Sequence, residues 1–391
     1  MDATSSQTAS DRKPAEPPAG GATPQGFTRS PSAEAGSLSW DGERWTAAEE
    51  PLGDPVTAED VARLRPLRGL RVEWPVSPGC SFAAVLDLAA AGVPLFSTVV
   101  PAWARAADPA LTALLTSWHA DPAAGGSMRS VTDLRREEHS VRLRRHALRA
   151  GHPDSGEPPL VSVVMSSMRP ALVGSALAQI ARQRHVRAEV VLGLHGVPAG
   201  HESVRRAVED FPLPITVVEA HRETPFGEVL NRAAAAASGD HLAKWDDDDW
   251  YGPEHLADLL LAKEYAGADV VGTTAEFFYL EPLKATIRRT DYTSEVWNEH
   301  VAGGTILLGT SAFRDVGGFG PLASGVDADL LKRVHAAGGR IYRTHGLGYV
   351  LRRSLSGEHT WRLPLAHFLR VATNQWRGFR PSTLLETAEE A

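Results

Sequence analysis

The chain has 391 residues, of which 43% are hydrophobic and 23% are charged, and its formal net charge is −8. These values are ordinary for globular proteins and exclude collagen-like, coiled-coil and wholly disordered chains, while the length predicts two folded units. The negative charge argues against nucleic acid as a partner, although Arg142, Arg144 and Arg145 could contact phosphate locally. The single cysteine, Cys80, excludes an internal disulfide and a cysteine-based zinc site.

The start of the chain carries no signal-peptide pattern, and no apolar run reaches the roughly 20 residues that a bilayer-spanning helix needs. We therefore expect a cytoplasmic protein without a transmembrane segment. Near the end of the chain, arginines alternate with Phe368, Trp376 and Phe379. This pattern leaves peripheral contact with a membrane surface open, but a packed C-terminal helix or tail over residues 362–391 is the preferred explanation.

The first part of the chain divides into a tail and a small module. Residues 1–36 are rich in Ala, Ser, Thr, Pro and Gly, so they bury too little surface to offset the entropy of ordering, and we expect a disordered tail. Residues 37–150 predict a small α/β module with strands at 70–74 and 93–98, a helix at 82–91 and a basic helix at 134–148. A proline-rich linker at 151–159 ends the module.

Strands and helices alternate after the linker. Apolar runs at 161–165, 189–194, 215–219 and 241–245 predict strands, and residues spaced three and four apart between them predict helices. Alternating strands and helices predict a mostly parallel sheet with helices on both faces. Such sheets bind their ligands at the carboxyl ends of the strands.

Four consecutive aspartates, 246–249, directly follow the fourth of these strands. Such carboxylates repel one another, and Mg²⁺ or Mn²⁺ would relieve the repulsion because both ions prefer hard oxygen ligands and often add substrate phosphates. Alternation along the extended entry predicts that Asp246 and Asp248 share one side while Asp247 points away. A solvated acidic loop before a helix is the alternative interpretation.

Residues 159–361 resemble family 2 of the inverting glycosyltransferases. The resemblance is carried by four stretches in order, which read PPLVSVVMSSMRP, LNRAAAAASGDHLAKWDDDDWYGPEHL, GGTILLGTSAFRDVGGF and GVDADLLKRVHAAGGRIYR. It implies a GT-A, Rossmann-like fold and a metal-dependent transfer of sugar from a nucleotide-diphosphate donor to an acceptor hydroxyl. A UDP-sugar is the default donor, and the acceptor is a glycan or a small molecule.

The resemblance also implies roles for individual residues. Asp327 falls on the general-base position, and Asp246 and Asp248 fall on the metal-binding D-x-D positions, with His359 as a further metal ligand. The implied donor-binding residues are Ser166, Arg169, His195, Asn231, Asp246, Gly303 and Gly304. His195 stands where the family has an aspartate that contacts the base of the nucleotide, so the preference for uracil stays open.

Several of these residues also have an ordinary structural explanation. Asp327 could cap a helix, His359 could make an ordinary hydrogen bond, and Asn231 could cap or pack. Arg169 could form a surface salt bridge. Lys244 could contact diphosphate or be a solvated strand residue, and Arg352 and Arg353 are further candidates for the diphosphate.

Three functional hypotheses remain. The first is the glycosyltransferase described above; the others are a weak or inactive module that binds sugar nucleotides or glycans, and a sugar-phosphate nucleotidyltransferase. The last would favour a glycine-rich loop after the first strand, which residues 165–170 lack. Residues 89–98 resemble a segment of GT-B glycosyltransferases, so the N-terminal module could be a GT-B-like remnant.

Overall fold

A computed structural model describes residues 23–120, 130–151, 157–354 and 364–386. The N-terminal module contains five strands and five helices. In chain order these are β1 Gly36–Trp40, β2 Trp45–Ala47, β3 Glu50–Pro51, α1 Ala58–Leu64, β4 Leu70–Glu73, α2 Ala83–Ala90, β5 Leu95–Phe96, α3 Ala102–Ala107, α4 Pro109–Thr116 and α5 Val131–Ala150. Its sheet has the order β3-β2-β1-β4-β5, in which β4 runs parallel to both β1 and β5.

The second domain begins with four strands that alternate with helices and then becomes mixed. Its first elements are β6 Leu160–Ser167, α6 Pro170–Ala181, β7 Arg187–His195, α7 Glu202–Glu209, β8 Ile215–Ala220, α8 Phe226–Ala235, β9 His241–Trp245, β10 Trp250–Tyr251 and α9 His255–Ala266. There follow β11 Val270–Thr273, β12 Phe277–Leu280, β13 Ala285–Arg288, β14 Val296–Trp297, β15 Leu307–Gly309, α10 Thr310–Asp315, α11 Val326–Ala336, β16 Ile341–Thr344 and β17 Tyr349–Arg353.

The main sheet has eight strands in the order β14-β16-β11-β15-β9-β6-β7-β8. Strands β9, β6, β7 and β8 pair in parallel, whereas β15 runs antiparallel to both β9 and β11. The fold is therefore α/β with a mostly parallel sheet, which confirms the predicted class. One apolar cluster packs α6 and α9 on this sheet and another packs α8 and α11.

The last described part of the chain joins a second sheet. Helix α12 (Leu365–Val371) is followed by strand β18 (Asn374–Arg377), which pairs with β13 at the edge of the sheet β10-β17-β12-β13-β18. Residues 362–391 were predicted as a helix or tail, and their described part adds a strand to that helix. Within the described ranges, every helix is too short or too polar to cross a bilayer.

Helix α5 joins the two domains. Its arginines were predicted to be available to phosphate, but Arg144 and Arg145 are buried and paired with Glu295 and Asp258 of the second domain, so that prediction is wrong for both. Leu134 and Val141 of the same helix pack into an apolar cluster with residues of the second sheet. The basic composition of α5 therefore serves an internal interface.

Part of the predicted N-terminal tail also contacts the folded domains. Gln25 donates a backbone hydrogen bond to Ala91, and the Thr28 hydroxyl donates to the backbone carbonyl of Arg65. Phe27 packs against the apolar cluster that includes Leu134. Residues 1–22 lie outside the described residues, so the prediction of disorder stays a prediction there.

Candidate active site

A cavity of about 250 Å³ lies at the carboxyl ends of β6, β7 and β9. It brings together nine of the residues singled out in the sequence, which are Ser166, Arg169, His195, Lys244, Asp246, Asp248, Asp327, Arg352 and Arg353. A second cavity, of about 310 Å³, lies between α5 and the segment 25–29 and contains none of them. Convergence of residues from separate strand ends makes the first cavity the candidate site.

The acidic turn divides into two buried and two accessible carboxylates. Asp247 accepts a hydrogen bond from the Ser167 hydroxyl at 2.5 Å and pairs with Arg169. Asp249 accepts from the Tyr349 hydroxyl and from the backbone N–H of Arg352. Burial raises the pKa of both carboxyl groups. Asp247 and Asp249 therefore hold the turn in place.

The other two aspartates meet cations at the edge of the cavity. Lys244 Nζ lies 2.6 Å from Oδ1 of Asp246, and the Arg169 guanidinium lies 2.8 Å from Oδ2 of Asp248. The side chain of Asp246 is 33% exposed and that of Asp248 is 13% exposed. Exposure thus alternates along the turn, but Asp247 does not point away as predicted, because Arg169 pairs with both Asp247 and Asp248 and all four aspartates line the cavity. Neighbouring cations offset the repulsion between the carboxylates.

Lys244 contacts both sides of the cavity. Its Nζ also lies 3.3 Å from Oδ1 of Asp327, while its side chain is only 3% exposed. Burial by itself lowers the pKa of this amine, but Asp246 and Asp327 outweigh that effect and raise it above its ordinary value. Lys244 is therefore a buried charged residue that bridges two carboxylates, so its interpretation as a solvated strand residue is wrong.

Asp327 lies in the first turn of α11 and faces the cavity. Its Oδ1 is buried and accepts no hydrogen bond from any described residue, although the ammonium of Lys244 lies nearby. Burial raises the pKa of Asp327, and the charge of Lys244 opposes that shift. The Asp327 side chain as a whole is 29% exposed, so its carboxylate can accept a proton or a hydrogen bond from a ligand.

Two consecutive glycines allow these carboxylates to approach the backbone. A Cβ at Gly303 would collide with the carboxylate of Asp327. A Cβ at Gly304 would lie 2.7 Å from Oδ2 of Asp246 and 2.8 Å from the Tyr251 hydroxyl. Both glycines were predicted to bind donor. In the structure, the absence of a side chain at each glycine leaves the space that the two carboxylates occupy.

Ser166 and His195 provide polar atoms on the strand-end side of the cavity. The hydroxyl of Ser166 is buried and has no hydrogen-bond partner among the described residues. His195 Nε2 lies 3.0 Å from the carbonyl oxygen of Arg222. Because a carbonyl only accepts, Nε2 carries the proton in the neutral ring, and Nδ1 is left as an acceptor.

One predicted ligand-binding residue does not join this group. Asn231 uses both parts of its amide on the backbone of Phe319, so it holds the turn after α10 and does not line the cavity. Its alternative interpretation as a packing residue fits the observed contacts. His359 lies outside the described residues.

The remaining carboxylates suit a divalent cation that also binds substrate. Among the residues that the structure describes, no cluster of three or more His, Cys, Asp or Glu side chains could hold a metal. Asp246 and Asp248 are nevertheless two hard-oxygen donors on one cavity, which is the number that Mg²⁺ commonly uses when phosphates complete its coordination. The residues therefore fit a cation bound together with a diphosphate.

No role was predicted for Tyr251, which connects the backbone of the acidic turn to that of Gly304. Its hydroxyl accepts from the backbone N–H of Asp246 and donates to the carbonyl of Gly304, while its ring stacks on Trp245 at 3.7 Å between centroids. An aromatic residue just after the acidic run was the available signal. The dual contact of Lys244 had a weaker signal, a lysine in an otherwise apolar strand end.

Comparison with known families and structures gave one family match. Residues 162–311 match the family model described as Glycosyl transferase family 2. No curated protein matches the chain.

Several solved structures are similar over part of the chain. A mannosyltransferase from Pyrobaculum calidifontis in complex with GDP-Man and Mn²⁺ has 19% identity and a TM-score of 0.43, covering 56% of this chain and 63% of that one. S. aureus TarS 1-349 in complex with UDP-GlcNAc has 18% identity and a TM-score of 0.42, covering 55% and 64%. GalNAc-T7 with UDP, GalNAc and Mn²⁺ has 13% identity and a TM-score of 0.43, covering 56% and 48%. This chain thus spans less than two thirds of each of these proteins.

The family match and the candidate site overlap. The matched stretch contains Ser166, Arg169, His195 and the whole acidic turn, and Asp327 lies just beyond its end. Residues 162–311 of this chain, which include most of the candidate site, are therefore similar to glycosyl transferase family 2.

Proposed function

We propose that this protein is a metal-dependent inverting glycosyltransferase that moves a sugar from a nucleotide-diphosphate donor to an acceptor hydroxyl. The observation that carries the proposal is the carboxylate of Asp327, whose side chain is 29% exposed and borders the same cavity as Asp246 and Asp248. A proton acceptor and a pair of metal-binding carboxylates are the two groups that this reaction needs.

The donor would bind along the strand ends. The unpartnered hydroxyl of Ser166 and the Nδ1 of His195 are suited to the nucleoside, and Asp246 and Asp248 would hold Mg²⁺ or Mn²⁺ against its diphosphate. The cation would supply Lewis-acid stabilisation of the departing nucleoside diphosphate. Arg352 and Arg353 also line the cavity and add positive charge beside it.

Asp327 is suited to act on the acceptor. In an inverting displacement the acceptor hydroxyl attacks the anomeric carbon opposite the leaving diphosphate, so its proton must pass to a base on that side. Asp327 would accept this proton on its carboxylate, since the side chain is 29% exposed at the cavity. The positive charge of Lys244, 3.3 Å away, favours the carboxylate form that this role requires.

The position of the ring proton on His195 limits which nucleotide bases the donor could carry. With Nε2 donating to Arg222, the ring offers an acceptor at Nδ1. Uracil, thymine and guanine each carry a ring N–H that could donate to this atom. We therefore propose a UDP-, dTDP- or GDP-sugar as the donor, with UDP as the first choice to test.

The test separates binding from transfer. Isothermal titration with UDP, dTDP and GDP, with and without Mn²⁺, measures binding, and a donor and acceptor screen measures transfer. We expect Asp248→Ala to lose the Mn²⁺-dependent part of nucleotide binding. Asp327→Asn should keep that binding and lower kcat for transfer by at least about 100-fold, the usual contribution of a general base. Transfer at the parental rate by Asp327→Asn would remove it from the mechanism.

A binding module without catalysis is the second candidate. It is favoured by one observation, which is that Asp246 and Asp248 are already paired with Lys244 and Arg169 within the protein. Nucleotide binding that is indifferent to Mn²⁺, with no transfer or donor hydrolysis for any pair in the screen, would support this candidate.

A further inference from the structure

Lys244 is held in the sheet in a way that leaves its amine little freedom. It lies on β9, which pairs in parallel with β6 and antiparallel with β15, and its backbone N–H donates to the carbonyl of Ile306. Its stem borders a small apolar space together with Leu242 and Phe313. A residue packed in this way positions its charged end through the sheet backbone.

The amine of Lys244 pairs with carboxylates from two different elements at the cavity. Asp246 comes from the turn after β9, and Asp327 comes from the first turn of α11. Nζ lies 2.6 Å from one carboxylate and 3.3 Å from the other, with the carboxylate of Asp327 set against Gly303. The spacing between the two carboxylates therefore depends on the position of this amine.

We propose that Lys244 is a positioning residue that sets the distance between the general base and the metal-binding side of the site, and that it limits the affinity for the free cation. This inference rests on the proposed function. Lys244 does not need to touch the substrate, because it acts through Asp327 and Asp246. An ammonium beside Asp246 also repels a second cation that binds to the same carboxylate.

Removal of the amine should therefore change two properties in opposite directions. In Lys244→Met, the cation no longer competes with an ammonium at Asp246, so we expect the affinity for Mn²⁺ alone to rise by about three- to tenfold. Asp327 loses its charged neighbour and is free to turn, so kcat for transfer should fall by at least about 100-fold. A purely structural role would weaken both properties together.

The experiment uses the full chain and two readouts. Binding of Mn²⁺ alone is measured by electron paramagnetic resonance of the free ion, and kcat and KM are measured in the transfer assay. Lys244→Gln, which keeps a hydrogen-bond donor without the charge, is tested beside Lys244→Met. Lys263→Met is the matched control, since Lys263 is a half-buried lysine whose amine donates to the carbonyl of Ala268, just after α9 and away from the cavity.

Folding is checked by thermal melting, and a double variant tests the coupling. If Lys244 acts through Asp327, then Lys244→Met should lower transfer far less in the Asp327→Asn background than in the parental protein. We expect the control to keep parental Mn²⁺ affinity and kcat. Parental kcat in folded Lys244→Met, or weaker Mn²⁺ binding in both folded variants, would overturn the inference.

Failure of this inference is distinguishable from failure of the proposed function. A parental protein that transfers sugar, combined with Lys244 variants of unchanged kcat, contradicts only the role of Lys244. A parental protein that neither binds Mn²⁺ with nucleotide nor transfers sugar contradicts the proposed function itself. If Lys244→Met does not fold, Lys244→Gln gives the same pair of readouts and decides the matter.

Discussion

At the scale of single residues, the site depends on how closely carboxylates approach the backbone. Gly303 and Gly304 leave room for Asp327 and Asp246, and any Cβ there would occupy the space of a carboxylate oxygen. The glycines thus determine where the two acidic groups lie, in addition to any contact with the donor. Lys244 contacts the same two carboxylates through their Oδ1 atoms, whereas the glycines adjoin their Oδ2 atoms.

Gly303→Ala tests this role of the glycine pair. The new methyl group would displace the Asp327 side chain, which can rotate without disturbing the fold, so we expect kcat for transfer to fall by about 10- to 1000-fold while nucleotide binding stays near parental. Steady-state kinetics and titration with nucleotide measure the two effects. Gly309→Ala, where a Cβ would meet only one atom at 4.0 Å, is the matched control. A parental kcat in Gly303→Ala would contradict this account of Gly303.

At the scale of elements, helix α5 is the connection between the two domains. Arg145 makes two parallel hydrogen bonds, of 2.8 and 2.7 Å, to the carboxylate of Asp258 on α9. Both side chains are 8% exposed. Such a pair is geometrically specific, and its partners become costly when separated because one charge then stays buried alone.

We expect Arg145→Met to lower the free energy of unfolding by about 3–5 kcal/mol, because it leaves the buried Asp258 without its main partner. The double change Arg145→Met with Asp258→Leu should recover a large part of this loss, since no charge then remains buried. Chemical denaturation measures both. Arg205→Met, which removes an exposed pair with Glu209, should change stability by less than about 1 kcal/mol. A loss of similar size for Arg145→Met and Arg205→Met would mean that the buried pair has no special role.

At the scale of the whole molecule, the N-terminal module and the second domain share one interface. Arg144 and Arg145 bring buried ion pairs to it, and Leu134 and Val141 bring apolar contacts with Phe277 and other residues of the second sheet. An interface that combines apolar contacts with buried ion pairs couples the stability of its two sides.

We therefore expect calorimetric unfolding of the intact chain to show a single cooperative transition. Loss of either domain would leave the charges of α5 or their partners unpaired in a buried setting, so the two domains should melt together. Two transitions separated by more than about 10 °C would show that the module is thermally independent.

The local elements of the second domain could be predicted from the sequence. The strand predicted at 241–245 is observed as β9 with the same bounds, and the predicted runs at 161–165 and 189–194 fall within β6 and β7. Apolar runs and periodicity predict these elements, and both depend on residues close together in the chain. The alternation of Asp246 and Asp248 around Asp247 is of the same local kind.

The contacts of charged residues could not be predicted in this way. Helix α5 was expected from its pattern. Its arginines were considered possible contacts for phosphate, because no residue near them in the sequence indicates that Asp258 and Glu295 are their partners. Asn231 was assigned to the nucleotide for the same reason, and only the folded chain shows that Phe319 takes both of its hydrogen bonds.

By itself, the sequence determined the strands and helices around the acidic turn and the chemical type of the site, because hydrophobic periodicity and four adjacent carboxylates are properties of neighbouring residues. The tertiary structure alone decided which of those carboxylates are buried and which cations lie beside the others. It also decided that Lys244 connects Asp246 to Asp327. The physical reason is that a buried charge needs a partner, and folding can supply that partner from any part of the chain.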